Sequence, residues 1–234
     1  MTGRDPVSEP LFTRRTFDFL RELALHNERQ WFDRNRDRYE RDAKGPALRF
    51  VAEFAPHLKR IGPNFRADPR PVGGSLFRIH RDVRFSKDKS PYKTHVGIRF
   101  PHVARKDVHA PGYYLHLEPG EVFVGCGVWH PDAATLGRIR EAIMSRPERW
   151  RRARDGKEFR SRFRLAGDSL RRAPRGYDPD HPLIVDLKRK DFIAVAELEE
   201  ETVLRSDFVR EFAAVCRDAS PFQRFLLDAL GLEP

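Results

Sequence analysis

Cysteine is scarce: only Cys126 and Cys216 occur. Neither a disulfide framework nor a cysteine-rich zinc site of the usual spacing is expected, and a reducing cytoplasm is the expected setting. Long apolar runs are missing too. No stretch approaches the roughly 20 apolar residues of a membrane span, and the opening MTGRDPVSEP lacks the apolar stretch of a signal peptide. The membrane is therefore not an expected partner. There is no repeat, low-complexity tract or long Ser/Gly linker to mark a string of domains. Nor is there a G-x-S-x-G elbow, a Walker A loop, a G-x-G-x-x-G after a strand or an H-E-x-x-H helix, so four common catalytic and nucleotide-binding devices are set aside.

What the chain does have is bulk and charge. Eighteen Phe and 3 Trp supply a core, while a hydrophobic fraction of 39% and a mean hydropathy of -0.66 imply a heavily solvated exterior. A length of 234 residues suits one domain, expected over residues 11–234 behind a flexible arm at 1–10. The net charge is +10, unevenly placed. Residues 146–190 hold 15 Lys or Arg against 7 Asp or Glu, and residues 191–234 hold 4 against 10. The two stretches can attract each other. Alternatively, the basic region Arg146–Arg175 is an electrostatic track for nucleic acid.

Periodicity supplies the elements. Phe17, Leu20, Leu23 and Ala24 predict a helix over 13–26 with Thr13 as N-cap. A second helix is expected from Glu28 to about Asp42, stopping at Gly45–Pro46, and a third from there to Gly62–Pro63. The period then changes. Phe77, Ile79, Val83 and Phe85 alternate, predicting a strand over 76–85. Further strands are expected at 95–100, 113–118, 121–130 and 192–198, the middle two forming a hairpin across Pro119–Gly120. Helices return at 133–144, 207–217 and 221–230. The fold class expected is α+β, an antiparallel sheet with helices packed mainly on one face.

The chemistry concentrates in Arg78–His95, RIHRDVRFSKDKSPYKTH. Arg78, Arg81, Arg84, Lys87, Lys89, Tyr92 and Lys93 are candidate anion-binding residues, and Ser86, Ser90 and Pro91 are turn formers that can present backbone N–H groups. A row of charges is costly to bury unless paired, so Asp82 and Asp88 either preorganise the cations or make the segment a purely structural ion-pair network. His80, Asp82 and Asp88 are the candidate general acids or bases. Trp31, Tyr39 and Trp129 are candidates for stacking on a ligand; Asn27, Trp31, Asn35 and Tyr39 recur every four residues along one helical stripe. Trp31 and Tyr39 also suit the role of core anchors.

Phe123, Gly125, Gly127 and Trp129 share a strand face, where glycine leaves room for a ligand or a crossing helix. In APRGYDPDHP, residues 173–182, Asp178, Asp180 and His181 are close in sequence, but neither they nor His80, His95, His116 and His130 form a recognised metal motif. No metal site is expected.

The run RDVRFSKDKSPYK, with NERQWFDRNRDRY at 27–39 and APRGYDPDHP, resembles the conserved hypothetical family catalogued as domain of unknown function 2461, from about Phe12 to Leu232. The resemblance implies a single-domain bacterial protein and brings no activity, cofactor or catalytic residue. The expectation from the residues is a basic protein binding a phosphorylated or otherwise anionic small molecule at Arg78–His95, with phosphate-ester hydrolysis or transfer as the reaction class if it is an enzyme. The alternatives are a nucleic-acid-binding module and a non-catalytic interaction protein.

Overall fold

The computed structural model describes residues 9–104 and 111–234; most of the arm expected at 1–10 lies outside them. Helix α1 (Arg14–Leu25) begins at Thr13, whose backbone N–H donates to Thr16 Oγ1 at 3.3 Å. The second expected helix is instead broken into α2 (Arg29–Arg34), α3 (Arg36–Tyr39) and a π-turn (Glu40–Lys44) that runs directly into α4 (Gly45–Ile61). Gly45–Pro46 does not stop the helix. The Gly45 N–H reaches back to the Glu40 carbonyl, and Pro46 falls in the first turn of α4, where its missing donor costs little.

Strands β1 (Val96–Pro101), β2 (Gly112–Glu118), β3 (Glu121–Val128), β4 (Arg164–Ala166) and β5 (Phe192–Leu198) form one antiparallel sheet in the order β1-β2-β3-β5-β4. The expected hairpin across Pro119–Gly120 is present, and the last expected strand is β5. Between them lie α5 (Ala133–Ser145), α6 (Pro147–Asp155), α7 (Lys157–Arg162) and α8 (Ile184–Leu187), and α9 (Glu200–Val203), α10 (Phe208–Asp218) and α11 (Ser220–Leu230) complete the chain. The fold class is α+β. Among the described residues no helix is long and apolar enough to cross a membrane.

Alternation divides the sheet into two unlike faces. Val96, Ile98, Phe100, Tyr113, Leu115, Leu117, Val122, Val124, Cys126, Phe192 and Ala194 are buried toward the helices, with α10 and α11 packed on β3 and α4 on β1. Their core is aromatic. Phe212 lies 4.7 Å from Phe54 and 5.3 Å from Phe50 between ring centroids, and Trp150 lies 5.0 Å from Phe225. The other face carries His95, Gly97 and Arg99 beside Tyr114, His116 and Glu118, then Phe123, Gly125 and Gly127, then Ile193 and Val195. A groove of about 380 Å³ opens on this face, lined among others by Phe77, Tyr114, Phe123 and Trp129. The glycine-bearing face is thus the side of the groove, away from the helices.

The strand expected over 76–85 is not formed. Among the described residues only single bridges join the segment to its neighbours, Leu76 to Ile98 and His80 to Tyr92, and the alternation fails at its end, where Phe85 is 96% exposed. Charged side chains at 81, 82 and 84 pair locally, and the chain closes on itself as a loop. Its approach is fixed by Asp68, which accepts from the Arg70 backbone and guanidinium and from Arg66, while Ser75 Oγ accepts from the Asp68 N–H. The Arg70 guanidinium, against the penalty of burial, holds the Asp68 carboxyl down at about 2. A depressed carboxylate stabilises the fold above its unfolded pKa and loses that contribution as pH falls through the folded value. Asp68→Asn is therefore expected to lower stability at neutral pH and to flatten its decline between about pH 4 and pH 2; urea midpoints across that range check it, and an unchanged acid slope would contradict it.

Candidate functional site

The loop is anchored at both ends by backbone hydrogen bonds and tied to the helices by one amide. Arg81 N donates to the Pro91 carbonyl at 2.9 Å and Lys93 N to that of Ile79 at 2.8 Å. Asn27 accepts from Tyr92 N at 3.0 Å and donates to Tyr92 O at 2.9 Å, gripping that residue's backbone from both sides. The Tyr92 ring then stacks on Phe32 at 4.1 Å. Asn27 thus links the start of α2 to the charged loop, and the four-residue stripe has its use at this end. Further along the stripe, Tyr39 is buried against Phe19 and Phe32, and Trp31 lies partly buried between Phe19 and His26. Trp129, 53% exposed, borders the groove on the sheet.

The closed loop frames a cavity of about 480 Å³ with Arg81, Asp88, Ser90, Tyr92, Lys93, Thr94, His95, Ala24 and Asn27 in its wall. Of the sequence candidates this brings together Arg81, Asp88, Tyr92 and Lys93. It leaves out Arg78, His80, Asp82, Arg84, Lys87 and Lys89. Arg84 makes a two-pronged pair with Asp82, at 2.9 and 2.7 Å, and lies over the exposed Phe85 ring. Lys89 Nζ donates to the Val83 carbonyl, and His80 rests against Phe32 and Tyr92.

Inside the cavity, Arg81 pairs with Asp88, whose carboxylate also accepts from the Ser90 N–H and hydroxyl at 2.9 and 2.6 Å. Arg81, followed by Ser90, holds the Asp88 carboxyl well below the usual carboxylate range; Arg84 lowers that of Asp82 to about 2. Both stay ionised near neutrality. Lys93 Nζ donates to the Arg78 carbonyl at 2.7 Å, and burial, reinforced by Arg78, lowers its ammonium pKa. Burial and then His116 push His95 down to about 4, against the opposing pull of Glu118.

Sequence reasoning missed the group next to this cavity. His95, His116 and Glu118 place their donor atoms within 4.8 Å of one another. The signal was present in the strand register. His116 and Glu118 are two apart on β2 and share a face, and the pairing of Val96 with Leu117 brings His95, one residue earlier, opposite Glu118. Burial pushes the Glu118 carboxyl up, but hydrogen bonds from Thr94 and His116 outweigh it and leave it lowered.

The basic stretch makes ion pairs of its own. Arg149 pairs with Asp228, Arg162 with Glu211 and Asp218, and Arg164 with Glu197. Arg154 pairs with Asp155 and with the buried Asp186. Three of the twelve Lys and Arg residues of Arg146–Arg175 thus pair with carboxylates of the acidic C-terminal part. In the 173–182 turn, Asp178 caps the Asp180 N–H and His181 accepts from Leu183, both local roles.

Fold and site together define an α+β protein with one helix-covered sheet face and one open face beside a closed cationic loop. A family model described as conserved hypothetical protein (DUF2461) matches residues 15–225, and the chain belongs to that family. No match was found among curated proteins or among solved structures.

Proposed function

We propose that this protein binds a small phosphate- or carboxylate-bearing molecule in the cavity walled by Arg81, Ser90, Lys93, Thr94 and His95. One observation supports this above the rest: cations from the two limbs of a closed loop line a single cavity together with hydroxyl groups, their backbones bonded across the loop to Pro91 and Ile79 and the intervening Tyr92 held by Asn27. Lys93 has N–H donors beyond the one given to Arg78, and preorganised donors spend less entropy on binding. Asp88 competes for Arg81, so Lys93 carries more of the affinity. Binding rather than turnover is the favoured reading, because arginine holds Asp82 and Asp88 ionised and leaves them little basicity for proton transfer. Two buried thiols fit a cytoplasmic setting.

Calorimetric titration with inorganic phosphate, pyrophosphate and mononucleotides tests it. Lys93→Met removes the ammonium, whose Nζ lies 5.4 Å from the Phe77 ring centroid, while keeping a side chain of similar length, and is expected to weaken binding roughly 10-fold or more, as loss of a charge-assisted hydrogen bond implies. Wild-type affinity in both Lys93→Met and Arg81→Ala, or uniform binding of any polyanion with a steep salt slope, would reject the pocket.

A further inference from the structure

We infer that His95, His116 and Glu118 form a site for a divalent transition-metal ion of the zinc class, seated where the loop cavity and the sheet groove adjoin. Two imidazoles and a carboxylate are a sufficient protein donor set for such an ion, leaving a position for water or an anion oxygen. The spacing is close to what is needed. Glu118 Oε2 lies 3.1 Å from His116 Nε2 and 3.9 Å from His95 Nδ1, whereas bonds of about 2.0–2.2 Å around a tetrahedral ion call for donors roughly 3.3–3.5 Å apart. Side-chain shifts of about an ångström close the site.

The donors are also supported from behind, as metal ligands commonly are. The Thr94 hydroxyl holds Glu118 Oε1, the oxygen not shared with the histidines. The Tyr114 hydroxyl lies 3.2 Å from His116 Nδ1, which leaves Nε2 as the ligating nitrogen. The His116 ring stacks on Phe123 at 4.6 Å with planes 10° apart. Gly97 leaves room for the Tyr114 hydroxyl beside His116, since a Cβ at 97 would stand 2.6 Å from that hydroxyl. Without a metal, Tyr114, His116 and Glu118 form a hydrogen-bonded chain; with one, the Tyr114 hydroxyl turns from donor to acceptor of Nδ1–H. His95 lines both cavities, so the ion borders each. The site does not depend on the anion reading, and its test contains no phosphate.

The full chain, stripped with a chelator, is titrated with Co²⁺ while the visible ligand-field bands are followed, and then displaced with Zn²⁺. One Co²⁺ per chain with a low-coordinate spectrum is expected. His95→Ala, His116→Ala and Glu118→Gln are each expected to weaken binding more than ~100-fold, and Tyr114→Phe about 10-fold. His130→Ala and His181→Ala should leave it intact. Circular dichroism confirms folding, and His95→Ala, altering a side chain 24% exposed, keeps the test decisive if the buried His116 variant fails to fold. Co²⁺ binding equal in wild type, His95→Ala and Glu118→Gln, or no ligand-field bands in wild type, would overturn the site.

Discussion

Phe212→Ala is expected to cost about 3–5 kcal/mol, the range for emptying a large aromatic site in a close-packed core. Phe212 is fully buried, and its ring touches those of Phe50, Phe54, Phe100 and Phe208 at centroid distances of 4.7 to 6.3 Å. Those neighbours come from α4, α10 and β1, elements far apart in sequence, so they cannot collapse together without moving the sheet against its helices. Interiors packed to crystal-like density relax only in part. Phe212→Leu fills most of the space and is expected to recover well over half of the loss. Urea unfolding of both variants supplies the comparison; an alanine variant within about 1 kcal/mol of wild type would mean that this cluster is not the centre of the core.

Gly127→Ala is expected to cost about 3 kcal/mol or more, through strain and collision together. Gly127 has φ +114°, and a Cβ there would stand 2.0 Å from the Phe192 carbonyl oxygen, a backbone atom of the paired strand. The β3–β5 ladder must part to admit it. Gly120 is the control. It also has positive φ, +81°, but a Cβ there meets nothing within 4 Å, so Gly120→Ala bears the conformational penalty alone, about 1 kcal/mol. Denaturation midpoints of the two variants separate the terms, and near-equal losses would show that Phe192 yields easily.

The sheet was legible in the sequence because its two faces differ chemically: Val122, Val124 and Cys126 alternate with Phe123, Gly125 and Gly127, and the turn residues stand between the strands. Helices α6 and α7 were not. Trp150, Ala153 and Phe159 are the buried residues of a segment otherwise dense in Arg, Lys and Glu, too few to set a period. The strand expected over 76–85 fails for the opposite reason: its alternation is present in the letters, yet hydrogen bonds within the loop replaced the ladder. Half of the candidate site was readable as charge density. Which cations share a cavity depends on loop closure, and the His95, His116 and Glu118 cluster exists only once β1 and β2 are in register.

The pairing of Arg149, Arg162 and Arg164 with carboxylates of the C-terminal stretch leaves the net charge of +10 unaltered, since both partners are counted in it, but bears on where that charge is felt. Positive charge added up along a polymer is not the same as positive potential facing an approaching molecule. On this flank each of these guanidinium forks already holds an internal counterion, and a passing polyphosphate would have to displace that counterion before gaining anything.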